Sequence, residues 1–203
     1  NKSYDYGTIM IPLQNQDLSA SEIYNILETL AKESHIKIDG VSTGLNKGID
    51  LGSNNFRSLE EPKIALLVGE GIRSYDAGEI WHLLDTRYNI IATKLDVSRF
   101  NRADLSRYNT IITPSSSSGV NTAGTKKLKD WIENGGTLIA YKNALRWLNK
   151  QKLAKIEFKK SKLIAKDISF EQRRNYRGAQ VIGGAIFETK LDRSHPINFG
   201  LVN

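Results

Sequence analysis

Residues 131–148, WIENGGTLIAYKNALRWL, decide the fold class of this chain. The stretch predicts a helix that stops at Gly135-Gly136, a short strand over residues 137–141 and a new helix that begins after Asn143. A strand that turns sharply into a helix is the frame on which many α/β enzymes place a nucleophile. Because this turn contains Lys142 and Asn143, the stretch predicts an α/β fold and leaves the chemistry of the turn open.

The alternation of strand and helix continues towards the N-terminus. Apolar runs predict strands within KIALLVGEG (63–71), ATKLDVS (92–98) and YNTIITP (108–114), with helices near 76–87 and over 125–133. Strands and helices that alternate at this spacing form right-handed crossovers and an open parallel sheet. We therefore expect a flavodoxin-like, three-layer α/β fold: an open, mostly parallel sheet with helices on both faces.

The first 60 residues predict a separate β-α-β extension that ends in a linker loop. GTIMIPL (7–13) and IKIDGVSTG (36–44) have the composition of strands, and Ser19 and Glu22 form a capping box that opens a helix between them. Residues 61–203 then form the main domain, and VIGGAIFETKLD (181–192) predicts a late strand pair. Both ends of the chain have the character of cut ends, which predicts a segment of a larger protein.

Composition narrows the chemistry that this chain can perform. With 203 residues, 39% hydrophobic and 25% charged, it has the composition of a soluble globular protein, and no apolar run is long enough for a membrane span. The chain has no cysteine, which excludes disulfides, thiolate zinc sites and a cysteine nucleophile. The three histidines lack the spacing of a zinc site, His82 and Asp85 being the nearest match, so we expect no metal in this segment.

The net charge of +7 is concentrated in one basic stretch, residues 150–177. It contains ten Lys and Arg and three Asp and Glu, a surplus equal to the net charge of the whole chain. Because it lacks the repeated aromatic residues of a base-stacking platform, it does not predict nucleic-acid binding. It predicts a solvated face or a surface that docks against another part of the same protein.

The candidate site residues follow the predicted strands. In open parallel sheets, ligands bind beyond the carboxyl ends of the strands. This rule selects these candidates for ligand binding: Glu70, Asp96, the serines Ser115, Ser116 and Ser117 with Ser118 in the loop PSSSSG, Lys142 and Asn143. A nucleophilic serine needs a base, and His195 is the histidine that could reach the sheet edge, although a loop-ordering role is the alternative.

The turn after the fourth strand of the sheet allows two interpretations. A desolvated Lys142 could act as a base or nucleophile, whereas a solvated Lys142 would pair with a carboxylate such as Glu70 and contribute little to stability. In the second interpretation Asn143 is a helix N-cap, so that Asn143→Ala is costly and Lys142→Met is silent.

Several segments together resemble a known family. GTIMIPLQNQ, STGLNKGIDLGS, PKIALLVGEGIRSYDAGEIWHLLDTRY, TKLDVSRFNRADLSRYNTIITP and GGTLIA are similar to the C-terminal region of bacterial secreted zinc carboxypeptidase-like proteins. In that family a metallopeptidase domain precedes a class I glutamine amidotransferase-like domain. The resemblance covers residues 4–148, and GAIFETKLDRSHPINFG adds to it near the end. It implies an amidotransferase-like fold, a secreted or periplasmic location, and zinc in a preceding peptidase domain.

The residues that would perform the family's chemistry have no counterpart here. The turn that would hold the amidotransferase cysteine contains Lys142 and Asn143, and the peptidase motif His-x-x-Glu is absent from the sequence. The resemblance therefore implies a non-catalytic accessory domain with no catalytic or metal residue, whose partner is the peptidase domain of the same polypeptide. A small ligand or peptide is a further possible partner. The alternative is a hydrolase or ligand-binding domain that uses Ser115–Ser118, Lys142 and His195.

Overall fold

The computed structural model describes residues 2–159, 167–181, 184, 186–199 and 201. The chain divides into two compact units: a terminal unit, Asn1–Ser58 with Ala165–Asn203, and a sheet unit, Leu59–Ile164. The helices are, in chain order, α1 (Ala20–Ser34), α2 (Ser74–Tyr88), α3 (Thr122–Glu133), α4 (Ala144–Lys150) and α5 (Gln172–Gly178). Among the described residues, no helix has both the length and the apolar composition needed to cross a lipid bilayer.

The sheet unit is built on four parallel strands. They are β1 (Ile64–Val68), β2 (Ala92–Asp96), β3 (Thr110–Thr113) and β4 (Thr137–Ala140), in the order β2-β1-β3-β4. Ile64 lies opposite both Ala92 and Thr110, and Thr110 lies opposite Thr137, so the strands start level with one another. This architecture confirms the predicted α/β fold with an open parallel sheet.

The crossovers cover the sheet and bury its central strands. In the strand order, β2 lies on one side of β1, whereas β4 lies on the opposite side of β3. Because these two crossovers run in opposite directions along the sheet and both are right-handed, α2 and α3 lie on opposite faces. Ala65, Leu66 and Leu67 of β1 are fully buried, as expected for a strand covered on both sides. Phe100 and Leu128 are also fully buried, and they complete one continuous core.

Helix α3 begins earlier than the sequence predicts and ends where it predicts. Asn121 is its N-cap, and the side-chain oxygen accepts a hydrogen bond from the Gly124 N–H at 2.9 Å. At the other end Gly135, with φ +99°, donates to Ile132 O, and Gly136 donates to Trp131 O. These two bonds form a Schellman motif, which confirms the glycine stop.

The terminal unit contains the predicted helix without the predicted strands around it. In α1, Ser19 and Glu22 form both bonds of the capping box. Residues 7–13 and 36–44 are not strands, so the predicted β-α-β extension is wrong. A capping box forms from neighbouring residues, whereas a strand needs a partner to accept and donate its backbone hydrogen bonds. Pro12, which cannot donate, weakens the first of the two candidates further.

The C-terminal part differs from the prediction as well. In the predicted strand pair at 181–192, the described residues form no strand, and residues 182, 183 and 185 lie outside the described part. The basic stretch contains the helix α5, which the sequence analysis did not predict. Lys160, Lys162 and Lys166 of that stretch lie outside the described residues.

Candidate functional site

The strand order identifies where a ligand crevice forms in the sheet unit. The chain moves from β1 to one side of the sheet and later returns to β3 on the other side, so the switch point lies between β1 and β3. In doubly wound sheets the crevice opens at the carboxyl ends of these two strands. Here it lies between the post-β1 segment, residues 69–73, and the post-β3 segment, residues 114–119.

Backbone hydrogen bonds hold the two segments together. The Arg73 N–H donates to Ser115 O at 2.9 Å, and the Ser117 N–H donates to Gly71 O at 2.9 Å. Between these bonds, Ile72 and Ser116 pair as an antiparallel bridge, and Ile72 is buried. The pairing positions the serine loop on the segment that leads into α2.

Glycine is required at two positions of the post-β1 segment. Gly71 has φ +79°, and a Cβ there would lie 2.1 Å from Ser118 Oγ. Gly69 has φ +103°, and a Cβ there would lie 2.8 Å from Asp96 Oδ1. The Gly-Glu-Gly sequence therefore allows the close approach of β1 to the loops after β2 and β3, while Glu70 between them is exposed.

The crevice has two adjoining lobes. The first lobe, about 350 Å³, lies between Arg73 on one side and the serine loop and Asn143 on the other. The second lobe, about 630 Å³, shares Ser116, Ser117 and Asn143 with the first and extends along α4 to Arg146 and Lys150. Both lobes are open to solvent, and their volumes fall within the range of small-ligand sites.

Ser116 lies at the junction of the two lobes and has an unusual environment. The residue is only 4% exposed, and its hydroxyl has no hydrogen-bond partner among the described residues. A buried hydroxyl without a partner costs free energy, which an ordered water or a bound group would recover. The Ser116 Oγ has almost no accessible surface, so its side chain must rotate before a ligand in the crevice can bind it.

Lys142 forms an ion pair, but with a residue other than the predicted Glu70. Its Nζ donates to Asp76 Oδ1 at 2.8 Å, although its own backbone is in the left-handed region at φ +53°. Asp76 lies in the first turn of α2 and is 4% exposed, and its Oδ2 has no partner among the described residues. The turn after β4 is thus tied to the start of α2.

Tyr141 lies beside the same contact between the turn after β4 and the start of α2. Its hydroxyl donates weakly to the backbone oxygen of Asp76 at 3.4 Å. Burial raises the pKa of Tyr141, and the negative charges of Asp76 and Glu79 raise it further. The tyrosine is therefore held in its neutral form at this end of the sheet.

Asn143 does not cap α4, so that prediction is wrong. Its backbone is helical, with φ −70° and ψ −21°, and its side chain makes no capping hydrogen bond. A capping side chain needs an extended backbone to reach the N–H groups of the first turn. Asn143 instead lines both lobes of the crevice.

Asp96 and His195 have local hydrogen-bonding roles. The Ser98 hydroxyl and N–H both donate to Asp96 Oδ1, at 2.7 and 2.8 Å, and these bonds lower the pKa of Asp96. His195 belongs to the terminal unit, where its Nδ1 accepts from the Ile197 N–H at 3.3 Å. Asp96 therefore caps the helical turn that follows β2, and His195 orders its own loop.

The structure brings together part of the predicted set and adds cations to it. Ser115, Ser116, Ser117 and Asn143 line the crevice, whereas Glu70, Asp96, Lys142 and His195 do not. Arg73, Arg146 and Lys150 line it and were missed by the sequence analysis. The position of Arg73, two residues after the Gly-Glu-Gly sequence that follows β1, was the available signal. Within the described residues, no three His, Asp or Glu side chains group as metal ligands would.

Comparison of the chain with protein-family models, with curated proteins and with solved structures finds no match.

Proposed function

We propose that the sheet unit is a non-catalytic ligand-binding module that serves as an accessory domain of a zinc carboxypeptidase-like protein. The observation that carries the binding role is the crevice at the β1/β3 switch point, which the serine loop lines and beside which the Ser116 hydroxyl is buried without a partner among the described residues. This is the position at which doubly wound sheets bind ligands. The accessory role rests on the sequence resemblance.

The contacts of the serines favour binding over catalysis. A nucleophilic serine requires a base within hydrogen-bonding distance. In the described part of the chain, the side chains of Ser115–Ser118 make one hydrogen bond, from Ser117 Oγ to the backbone oxygen of Gly71 at 3.4 Å. His82, the histidine of the sheet unit, is exposed, and its ring is near Thr86. These contacts supply no base for a serine.

The contacts of Lys142 also favour a structural role over a catalytic one. A nucleophilic lysine must lose its proton, and an adjacent carboxylate favours the charged ammonium. Lys142 is bonded to Asp76, and it does not line the crevice. We therefore propose that this strand-turn-helix frame supports the crevice and performs no reaction.

The remaining parts of the proposal concern the parent protein. A preceding peptidase domain would hold the zinc and perform hydrolysis, in a secreted or periplasmic protein. The sheet unit would then bind a small ligand or peptide for that domain, and the basic stretch would supply a docking surface.

Two measurements on the full chain test this function. We expect no release of C-terminal residues from peptides and no hydrolysis of glutamine, with or without added Zn²⁺. We also expect small polar compounds to shift the amide signals of residues 115–118 in an NMR screen. Turnover that is lost in Ser116→Ala or Lys142→Met would show that the unit is an enzyme. An unresponsive serine loop across the screen would remove the binding role.

A further inference from the structure

We infer that the crevice binds a small oxyanionic ligand, a carboxylate or a phosphate; this inference rests on the proposed binding function. Every ionisable residue that lines either lobe is a cation: Arg73 in the first, and Arg146 and Lys150 in the second. None of the three is in an ion pair within the described parts of the chain. A crevice lined by cations and free of acidic residues attracts anions.

The first lobe combines three features that suit an oxyanion. Arg73, which lines the lobe, directly precedes α2, a helix of 15 residues. The N–H groups of Ser74 and Tyr75 in the first turn have no acceptor within the helix and lie next to this lining residue, although Ser74 and Tyr75 do not line the lobe themselves. A helix N-terminus carries partial positive charge and binds anions through these N–H groups. Rotation of the Ser116 side chain would add an independent donor, because its buried hydroxyl has no partner among the described residues.

The buried carboxylate in the first turn of α2 is paired with a cation. Asp76 lies in the first turn of α2, but it is bonded to Lys142 and does not line either lobe. The pair therefore removes the negative charge that would otherwise repel an anion from the start of α2. Lys142 contributes to the site indirectly, through Asp76.

The second lobe adds two cations on one side of α4. Arg146 and Lys150 are four residues apart, so they lie on the same face of the helix. The guanidinium of Arg146 lies over the Phe158 ring, 4.9 Å from the centroid, which restricts its orientation. Ser116, Ser117 and Asn143, common to both lobes, place hydroxyl and amide groups between Arg73 and these cations.

Chemical-shift titrations of the full chain test this inference with three probes. Inorganic phosphate and acetate represent the two sources of an oxyanion, and acetamide is the neutral counterpart of acetate. We expect phosphate, acetate or both to shift the amide signals of Arg73 and residues 115–118, and the tighter of the two to identify the ligand class. Acetamide should not shift these signals.

Two arginines at opposite ends of α2 give a matched pair of variants: Arg73 directly before the helix and Arg87 in its last turn. Arg73→Gln should weaken anion binding about tenfold or more, because a hydrogen bond to a charged group is lost. Arg87→Gln, in the last turn of α2, removes the same charge away from the crevice and should leave the affinity unchanged. Ser116→Ala should also weaken binding.

The possible failures are distinguishable. Equal affinity for acetamide and acetate would overturn the anionic ligand and leave the proposed binding function intact. Equal weakening by Arg73→Gln and Arg87→Gln would show that anion affinity depends only on the overall charge of the protein, and it would also overturn the inference. If none of the three probes shifted the serine loop, the inference would be wrong, and the wider compound screen would decide the proposed function separately.

Discussion

Lys142 shows how one contact changes the role of a residue. An exposed ammonium contributes little to stability, so the sequence predicts that Lys142→Met is silent. In the structure its side chain is 58% exposed, but it is bonded to Asp76, whose side chain is 6% exposed. The burial of Asp76 could not be predicted, because the residue approaches Lys142 from α2, 66 positions earlier in the chain.

We therefore expect Lys142→Met to destabilise the sheet unit. It leaves the buried Asp76 carboxylate without a partner, which should cost about 1–3 kcal/mol of the free energy of unfolding. Chemical denaturation of the full chain measures this, with the exposed Lys126 of α3 changed to Met as control. The double variant Lys142→Met with Asp76→Asn should lose less than the two single variants added together. An unchanged unfolding free energy for Lys142→Met would refute the role of the pair.

Tyr141 makes the stability of the same region depend on pH. Its pKa is raised in the folded protein, so above the ordinary tyrosine pKa of about 10 the unfolded state binds fewer protons than the folded state. The contribution of Tyr141 to stability is thus present below that pH and is lost as the pH rises through the folded pKa. Tyr141→Phe should flatten the decline in melting temperature at alkaline pH. An identical alkaline slope in the variant would contradict the raised pKa.

At the scale of elements, features that depend on neighbouring residues were predicted better than features that depend on tertiary contacts. β1 is recognisable in the sequence as a continuous apolar run, because the strand is buried on both faces. The C-terminal stop of α3 is recognisable because Gly135 and Gly136 form it through bonds within the same helix end. The candidate strands at 7–13 and 36–44 had suitable composition, but a strand exists only with a partner. The serine loop could be predicted because it directly follows β3 in the sequence. The place of Arg146 at the crevice depends on tertiary packing, so it could not be predicted.

The asparagines that directly precede α3 and α4, Asn121 and Asn143, give a prediction for these elements. Asn121→Ala should cost about 0.5–2 kcal/mol of stability, because its side chain caps α3. Asn143→Ala should be nearly neutral in stability, since Asn143 makes no capping bond. Thermal melts of the two variants compare the same substitution at two helix starts. The reverse ranking would restore Asn143 as the N-cap of α4.

At the scale of the whole molecule, the two units differ in how much core they contain. Every residue of the main hydrophobic cluster lies between Ile64 and Ala154. In the described part of the terminal unit, Ile23 of α1 is the buried hydrophobic residue, and α1 exposes Ile26 and Leu30. Burial of apolar surface is the dominant favourable term in folding, so most of the stability of this chain belongs to the sheet unit.

The fragment of residues 59–164 should therefore fold without the terminal unit. We expect it to unfold cooperatively in urea, with a midpoint close to that of the sheet unit in the full chain, monitored by tryptophan fluorescence. All three tryptophans, Trp81, Trp131 and Trp147, lie inside the fragment, so both proteins report the same transition. Leu128→Ala, which removes a fully buried side chain, should lower the stability of fragment and full chain alike by about 2–5 kcal/mol. A fragment that fails to unfold cooperatively, or responds to Leu128→Ala less than the full chain does, would show that the sheet unit depends on the terminal unit for its core.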